Sequence, residues 1–431
     1  MISARLRQQR FYGWTVLVGA MLVSFSMVGS VIVSYGLFLP TMCKELDWSR
    51  SALSAPYTAF WIVMGLLGPL VGISISKFGA RKNIIWGNLV IVLGVLGMSL
   101  VKEIWHVYLF YAVLIGTGQA FGTFLATTTV VNTWFIRRKS LALSLLLSAG
   151  GVGALICAPL ISWLISSQGW RLAWVCVAGI HLILAVVVSG LLIRNRPEEL
   201  GQAPYGETTD ATQEAEAASL VRSQVYQTPV DWGVGDALRT PSLWLLMAFT
   251  AATLFTLNFL TLHQVAYLQD LRYSPMVAAT TVGLLSGMTI IGQLASGALG
   301  TRFEGRYIAV VCLAGLAVGI TILMNGKVLP LIYLHTVVSG ISCGGLMVLM
   351  PVLIGAYFGS ANYAQIIGWT TPVSTIFSAS SPLLAALIFD NTGSYTPVFI
   401  ASLVFLGIGL VCAIFARPPK PRVVMSDSAP H

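Results

Sequence analysis

Long apolar stretches recur along the chain, separated by short polar breaks. Each is long enough for the hydrocarbon core of a bilayer, which asks for roughly 20 apolar residues of helix. They predict spans near 14–39, 52–76, 83–101, 104–131, 140–166 and 171–193, then 242–268, 276–300, 307–325, 328–357, 362–389 and 395–416. The alternation over about 10 residues that an outer-membrane barrel needs is not this pattern. One break is different in kind. Residues 194–241 hold 8 of the 15 acidic residues and a Gly/Pro/Ala/Thr/Gln-rich run from Gly201 to Ala218, which predicts a flexible linker. The expected organisation is an N-terminal six-helix bundle (1–193), a linker (194–241), a C-terminal six-helix bundle (242–417) and a tail (418–431).

Composition supports that pattern. Of 431 residues, 56% are hydrophobic and 9% charged, against about 25% charged in a soluble domain. A water-soluble enzyme is excluded. The first stretch, from about Trp14 to Leu39, is too long for a signal-peptide core and has no evident small-x-small cleavage site, so it reads as a retained helix. The net charge of +9 does not point to nucleic acid, because the basic residues sit between the apolar stretches. Sorted by side, 18 of them (Arg5, Arg7, Arg10, Lys77, Arg81, Lys82, Arg137, Arg138, Lys139, Arg194, Arg196, Arg222, Arg239, Arg302, Arg306, Arg417, Lys420 and Arg422) fall with the termini. The other side holds 6, namely Lys44, Arg50, Lys102, Arg171, Arg272 and Lys327. The positive-inside rule then puts both termini in the cytoplasm, in a multi-pass plasma (bacterial inner) membrane protein. The six cysteines lie far apart with no CxxC or Cys/His spacing, so neither a metal site nor a disulfide framework is expected. No Walker loop occurs, and no cofactor is expected.

Each half carries a similar basic loop after its second span: Gly72-x4-Lys77-Phe78-Gly79-x-Arg81-Lys82, and Gly297-x4-Arg302-Phe303-x-Gly305-Arg306. A parallel repeat of six helices is the architecture of a transporter that rocks two bundles about a central site. These loops resemble the helix 2–3 motif of the major facilitator superfamily, with Ser76 and Thr301 where the family usually has an acid. The resemblance sharpens to the monocarboxylate-transporter-like branch, which includes the bacterial oxalate/formate exchangers. Phe11-Tyr12-Gly13-Trp14, Leu46-Asp47-Trp48-Ser49-Arg50, Trp134-Phe135-x-Arg137-Arg138-Lys139-x-Leu141-Ala142 with Ala149-Gly150-x-x-Gly153, Arg196-Pro197-Glu198-Glu199-Leu200-Gly201, His263 with Tyr267-Leu268, and the stretch from Gly355 to Gly368 all fit it. It implies the major facilitator fold: an all-α polytopic protein, twelve transmembrane helices in two six-helix bundles. It also implies a conformational loop role for Gly72, Gly79, Arg81, Arg302 and Arg306. One departure limits the inference. Carboxylate carriers of this branch commonly place an arginine after a glycine in the eighth span, where this chain has Gly292-Gln293, and the eleventh span has no lysine.

By this map no Asp, Glu, Lys or Arg lies mid-span, so solute recognition falls to neutral polar groups. His181, His263 and His335 lie within spans, each either a satisfied structural residue or a functional one. His263 and His335 are the proton-coupling candidates. Tyr35, Tyr57, Gln119, Asn258, His263, Gln293, Ser342, Trp369 and Ser374 are the solute-binding candidates, with helix–helix hydrogen bonds the plain alternative for the hydroxyls and interface anchoring for the tyrosines. The leading expectation is a secondary carrier for a small organic acid, monocarboxylate-like, working by alternating access as a monomer in the lipid bilayer, with proton coupling and exchange both open. Export of a neutral or amphiphilic solute is the alternative, and a transporter-like sensor a third reading.

Overall fold

The computed structural model describes residues 11–48, 50–205, 226–273, 275–326 and 328–419. Arg5, Arg7, Arg10, Arg222, Lys327, Lys420 and Arg422 of the charge map, Ser49 of the Leu46–Arg50 motif, most of the Gly201–Ala218 run and nearly all of the expected tail lie outside the described residues.

Twelve helical rods make up most of the described chain, with short helical turns at Pro197–Leu200 and Val234–Leu238 in the linker. α1 runs Gly13–Ser26, widens into a π-helix over Met27–Ile32, and continues as Val33–Leu46. α2 comprises Arg50–Leu66 and Gly68–Phe78, bent by 50° at Leu67. Pro69, in the first turn of the second piece, cannot donate to the preceding turn, which fits a break at that point. α3 is Ala80–Ser99. α4 starts at Ile104–Val107, is π-helical over Tyr108–Ile115, and resumes as Gly116–Gly122 and Phe124–Trp134. α5 is Lys139–Gln168; α6 runs Trp170–His181, is π-helical over Leu182–Val188, and ends with Ser189–Leu192. The second half holds α7 (Pro241–Asp270), α8 (Pro275–Leu299), α9 (Gly305–Asn325), α10 (Leu329–Phe358), α11 (Tyr363–Thr392) and α12 (Thr396–Phe415).

Among the described residues nine helices are long and apolar enough to cross a membrane, or ten if the bent α2 pair is one span. The remaining two are α8 and α11. They run over Pro275–Leu299 and Tyr363–Thr392, and α11 is rich in hydroxyls, from Thr370 and Thr371 to Ser380 and Ser381.

The two halves meet along α2 against α11 and α5 against α8. We call the side bearing Phe11, the α2–α3 and α4–α5 loops and Arg417 the terminal side. On that side the seam is glycine-tight. A Cβ on Gly68 would stand 2.6 Å from the Gly368 carbonyl oxygen, and one on Gly72 would stand 2.7 Å from that of Ala364. A Cβ on Gly297 would collide with the Ser144 side chain, and one on Gly300 with Ser140. Small residues let helix backbones approach this closely, and here they close the terminal side.

The linker ends are ordered rather than free. The Tyr205 amide donates to the Trp134 carbonyl (2.8 Å), and Ile136 and Arg137 donate back to the Tyr205 carbonyl. Gln227 Nε2 donates to the Ile136 carbonyl (3.0 Å), while the Thr228 amide donates to Ala356 (2.8 Å). Adjacent linker residues thus bond to opposite halves.

Candidate functional site

Buried polar side chains in these helices fall into separate groups, and the groups do different things. In the first half, a network joins four helices at mid-depth. His181 Nδ1 lies 2.8 Å from Ser26 Oγ, and His181 Nε2 lies 3.0 Å from Asn88 Oδ1. Asn88 Nδ2 is committed to the carbonyls of Ile84 (2.7 Å) and Gly122 (2.9 Å), so its oxygen faces the ring. That fixes Nε2–H as the donor and leaves Nδ1 to accept the Ser26 hydroxyl. The three helices that this network ties to α3 are all irregular at that level. Ser26 and His181 are the last residues before π-helical segments, and Gly122 is the last before the break in α4. His181 is thus satisfied within the first half.

Nearer the far side, Tyr35 donates its hydroxyl to the Leu53 carbonyl (2.5 Å) and stacks with Tyr57 at 5.5 Å. Tyr111, which the sequence reading passed over, packs on Tyr35 at 4.1 Å, and its buried hydroxyl has no partner among the described residues. The structure brings these three rings from α1, α2 and α4 into one aromatic wall.

The amides stand apart from it. Gln119 Oε1 on α4, Gln264 Nε2 on α7 and Gln293 Oε1 on α8 are all buried without a hydrogen-bond partner among the described residues. Among the described residues Gln293 Nε2 reaches only the thioether of Met347, at 4.0 Å. An unpaired amide group in hydrocarbon is expensive, so these three are marked as groups awaiting a partner. Gln264 is the addition here; its position beside His263 was the only signal.

Other candidates are spent on neighbouring helices. Asn258 Nδ2 donates to the Leu254 carbonyl (2.9 Å) and to Ser378 Oγ on α11 (2.7 Å). His263 Nδ1 lies 3.3 Å from the Tyr395 hydroxyl, in an aromatic group with Phe259 that faces α12. His335 Nδ1–H donates to the Gly319 carbonyl of α9 (2.8 Å), leaving a buried Nε2 without a partner among the described residues. Ser342 Oγ abuts Gly315 of α9, and Ser374 Oγ donates to the Thr371 carbonyl (2.9 Å) within α11. Trp369 is exposed on α11. Sequence spacing put these residues on the expected helices; the helix face each occupies could not be read from it.

The two basic loops are held by different bonds. Gly79 adopts φ +85°, a conformation open to glycine, and the following turn is pinned by Asn195 Oδ1, which accepts from the Arg81 amide (2.8 Å). The Arg81 guanidinium donates to the Gly190 carbonyl at the end of α6 (2.9 and 3.3 Å). In the second half Arg306 pairs with Glu304 (2.8 Å), and Tyr357 donates to the Ala416 carbonyl just past the end of α12 (2.9 Å). Glu304, two residues before Arg306, thus provides an acid that Thr301 does not. Arg302 is exposed.

Two halves of six helices, closed against each other on one face and holding unpaired amides at bilayer depth, define a helical membrane carrier. Residues 16–324 and 245–429 match the sequence profile of the Major Facilitator Superfamily, and the chain belongs to that family. It is therefore a multi-pass membrane transporter and not an enzyme. Its relatives include monocarboxylate transporter 13 of Bos taurus, 27% identical over 97% of this chain and 94% of that protein. The oxalate:formate antiporter of Oxalobacter formigenes is 25% identical over 97% and 95%. Both lie in the branch that the sequence motifs resemble. Among solved structures, the proton:xylose symporter XylE aligns with a TM-score of 0.69 at 12% identity, covering 94% of each chain. The human organic anion transporter MFSD10 aligns with a TM-score of 0.68 at 16% identity, covering 95% and 99%. These likenesses concern the fold.

Proposed function

We propose that this carrier moves a small organic acid, a monocarboxylate or a close relative of one, by alternating access. The observation that carries the reading is the set of unpaired buried amides. Gln264 offers a donor suited to a carboxylate oxygen, while Gln119 and Gln293 offer acceptors suited to a hydroxyl or a protonated carboxyl group. The relatives' names, monocarboxylate transporter and oxalate:formate antiporter, point to the same solute class. Tyr35, Tyr57 and Trp369 would add aromatic surface for the solute's apolar part, with Asn258, Ser342 and Ser374 shaping the second half of the chamber.

In this reading residues 1–193 and 242–417 rock as two units joined by 194–241, with 418–431 as a tail. Gly72, Gly79, Arg81, Arg302 and Arg306 steady the conformation in which the terminal side is shut. The excess of Lys and Arg on that side supports cytoplasmic termini in a plasma or bacterial inner membrane, so the gate closed here is the cytoplasmic one. The carrier works as a monomer. Proton coupling rests on His263, or on His335, whose free ring nitrogen is an acceptor; exchange of one acid for another needs neither.

The test is counterflow into proteoliposomes preloaded with unlabelled acid, using a panel of radiolabelled organic acids. Accumulation above protein-free vesicles is expected for at least one of them, and no accumulation for any overturns the reading. Amide replacements of the same acids discriminate the second reading, a neutral or amphiphilic solute, which the Gln293 amide favours over an arginine's charge. If proton coupling runs through His263, His263→Gln flattens the pH dependence of uptake.

A further inference from the structure

On the terminal side of the seam a cation and an unpaired amide share one point between the halves. Lys139 opens α5, and among the described residues its ammonium makes a single long hydrogen bond, 3.5 Å, to the Gly355 carbonyl in the last turn of α10. An ammonium carries three donors, so most of its capacity is unused in protein hydrogen bonds. Asn132 of α4 is 1% exposed, and neither its Oδ1 nor its Nδ2 has a partner among the described residues. Both side chains crowd Gly355: a Cβ there would meet Lys139 Nζ at 3.3 Å and collide with Asn132 Oδ1. The nearby Asp231 carboxylate acts on Lys139 electrostatically, but its Oδ1 already accepts from the Ser360 and Ala361 amides ahead of α11 (2.9 and 3.0 Å).

The location is as informative as the chemistry. Asn132 and Lys139 belong to the first half and Gly355 to the second, so they meet across the seam that closes the terminal side. Gln227 and Thr228 cross the same seam beside them. A single carbonyl is a poor partner for an ammonium, whereas a carboxylate can take two of its donors and an amide N–H together.

We propose that Lys139 and Asn132 form a second anion station, at the terminal gate, which takes the carboxylate of the departing solute in place of the Gly355 carbonyl as the halves separate. The proposal rests on the carboxylate reading above. It adds to it a residue pair that couples solute arrival to gate opening. In the closed state Lys139 bridges the halves weakly; with a carboxylate bound it no longer does.

The test uses the full-length carrier with Ser144→Cys, a fully buried position that faces Gly297 across the seam. Labelling of that thiol by a membrane-impermeant reagent from the terminal side, over the rate of the carrier without it, reports opening, and it is measured with and without an acid found active in counterflow. With native Lys139, the acid should speed labelling. Lys139→Gln should leave solute-free labelling unchanged, abolish the response to the acid, and slow carboxylate exchange about tenfold or more, the scale of one charge-assisted hydrogen bond. Lys139→Arg should restore both, which also shows that the position tolerates change. If Lys139→Gln instead speeds labelling without any solute, Lys139 is only a latch and the station is overturned. An unchanged response to the acid overturns it equally. A native carrier that moves no carboxylate defeats the underlying reading, and this inference with it, before any variant is made.

Discussion

Gly68 of α2 and Gly368 of α11 face each other backbone to backbone. A Cβ built on either would lie within 2.6 Å of the other's carbonyl oxygen. The contact joins the two halves on the terminal side, so it exists only while that side is closed. Gly368→Val should therefore act as a wedge. Overpacking of this kind costs about 1–3 kcal/mol, charged here to the closed state alone, which lowers its population about 5- to 150-fold relative to the open one. Labelling of Ser140→Cys by a membrane-impermeant thiol reagent from the terminal side should speed up accordingly. A rate equal to that of the parent would show that α2 and α11 do not gate this face.

His181 calls for the opposite expectation, a loss of stability without a change in proton coupling. Its ring is bonded on both sides, to Ser26 and Asn88, and all three residues are fully buried. His181→Leu orphans the Asn88 oxygen, at about 1–3 kcal/mol, and leaves the Ser26 hydroxyl with only the long contact to Ser30 Oγ at 3.4 Å. Thermal unfolding in detergent should show the loss, and Asn88→Leu added to it should cost less than it does alone, because the two act as one network. The pH profile of transport should keep its shape, and a shifted profile would make His181 part of the coupling path.

The architecture was legible in the sequence because bilayer thickness forces a repeat length that composition cannot disguise. Each apolar run had to become a helix with its backbone bonds satisfied internally, and the paired basic loops marked the repeat. The linker was read as flexible throughout, since composition shows no core. Its described ends are nevertheless held by backbone bonds from Tyr205 and Thr228, which any residue type could make. The site was legible only as a roster of helices. Whether His335 turns toward α9 or Ser342 toward Gly315 depends on a helix rotation of less than one residue's 100° step, which a uniformly apolar helix does not encode. Glu304 was readable as an acid displaced by three positions from Thr301. Asn132 was hidden because an amide near the end of an apolar span looks ordinary until its lack of partners among the described residues is seen.

On the far side, Glu45 at the end of α1 is held by the start of α6. The Arg171 guanidinium hydrogen-bonds its carboxylate, and Trp170 Nε1 donates to it at 2.7 Å. The Arg171 bond, with a smaller contribution from Trp170, lowers the Glu45 pKa below its ordinary 4.5. A depressed carboxylate pKa adds stability above the unfolded value and loses it as the pH falls through the folded one. Glu45→Gln should therefore be less stable than the parent at neutral pH, by at most about 1 kcal/mol since the pair is exposed. The difference should vanish under acid, well below pH 4.5. Thermal unfolding of the two proteins across that range checks the sign; a difference that persists in acid would assign it to packing.

Gln293 is where the chain departs from the arginine of its carboxylate-carrying branch, and the structure says what an arginine would meet. The side chain is 6% exposed, and among the described residues its Oε1 is unpaired and its Nε2 touches only a thioether. Gln293→Arg would thus bury a guanidinium with no protein anion beside it among the described residues, and an uncompensated charge at this depth destabilises the helix that carries it. The ligand-free melting temperature should fall. A carboxylate solute supplies the missing charge, so the variant's melting temperature should recover as the acid is added, more steeply than the parent's, because stabilisation by a ligand grows with its concentration over its dissociation constant. The neutral amide analogue should give no such recovery. Were the acid and its amide to act alike on the variant, Gln293 would lie off the solute's path, and its unpaired oxygen would need another partner than the cargo.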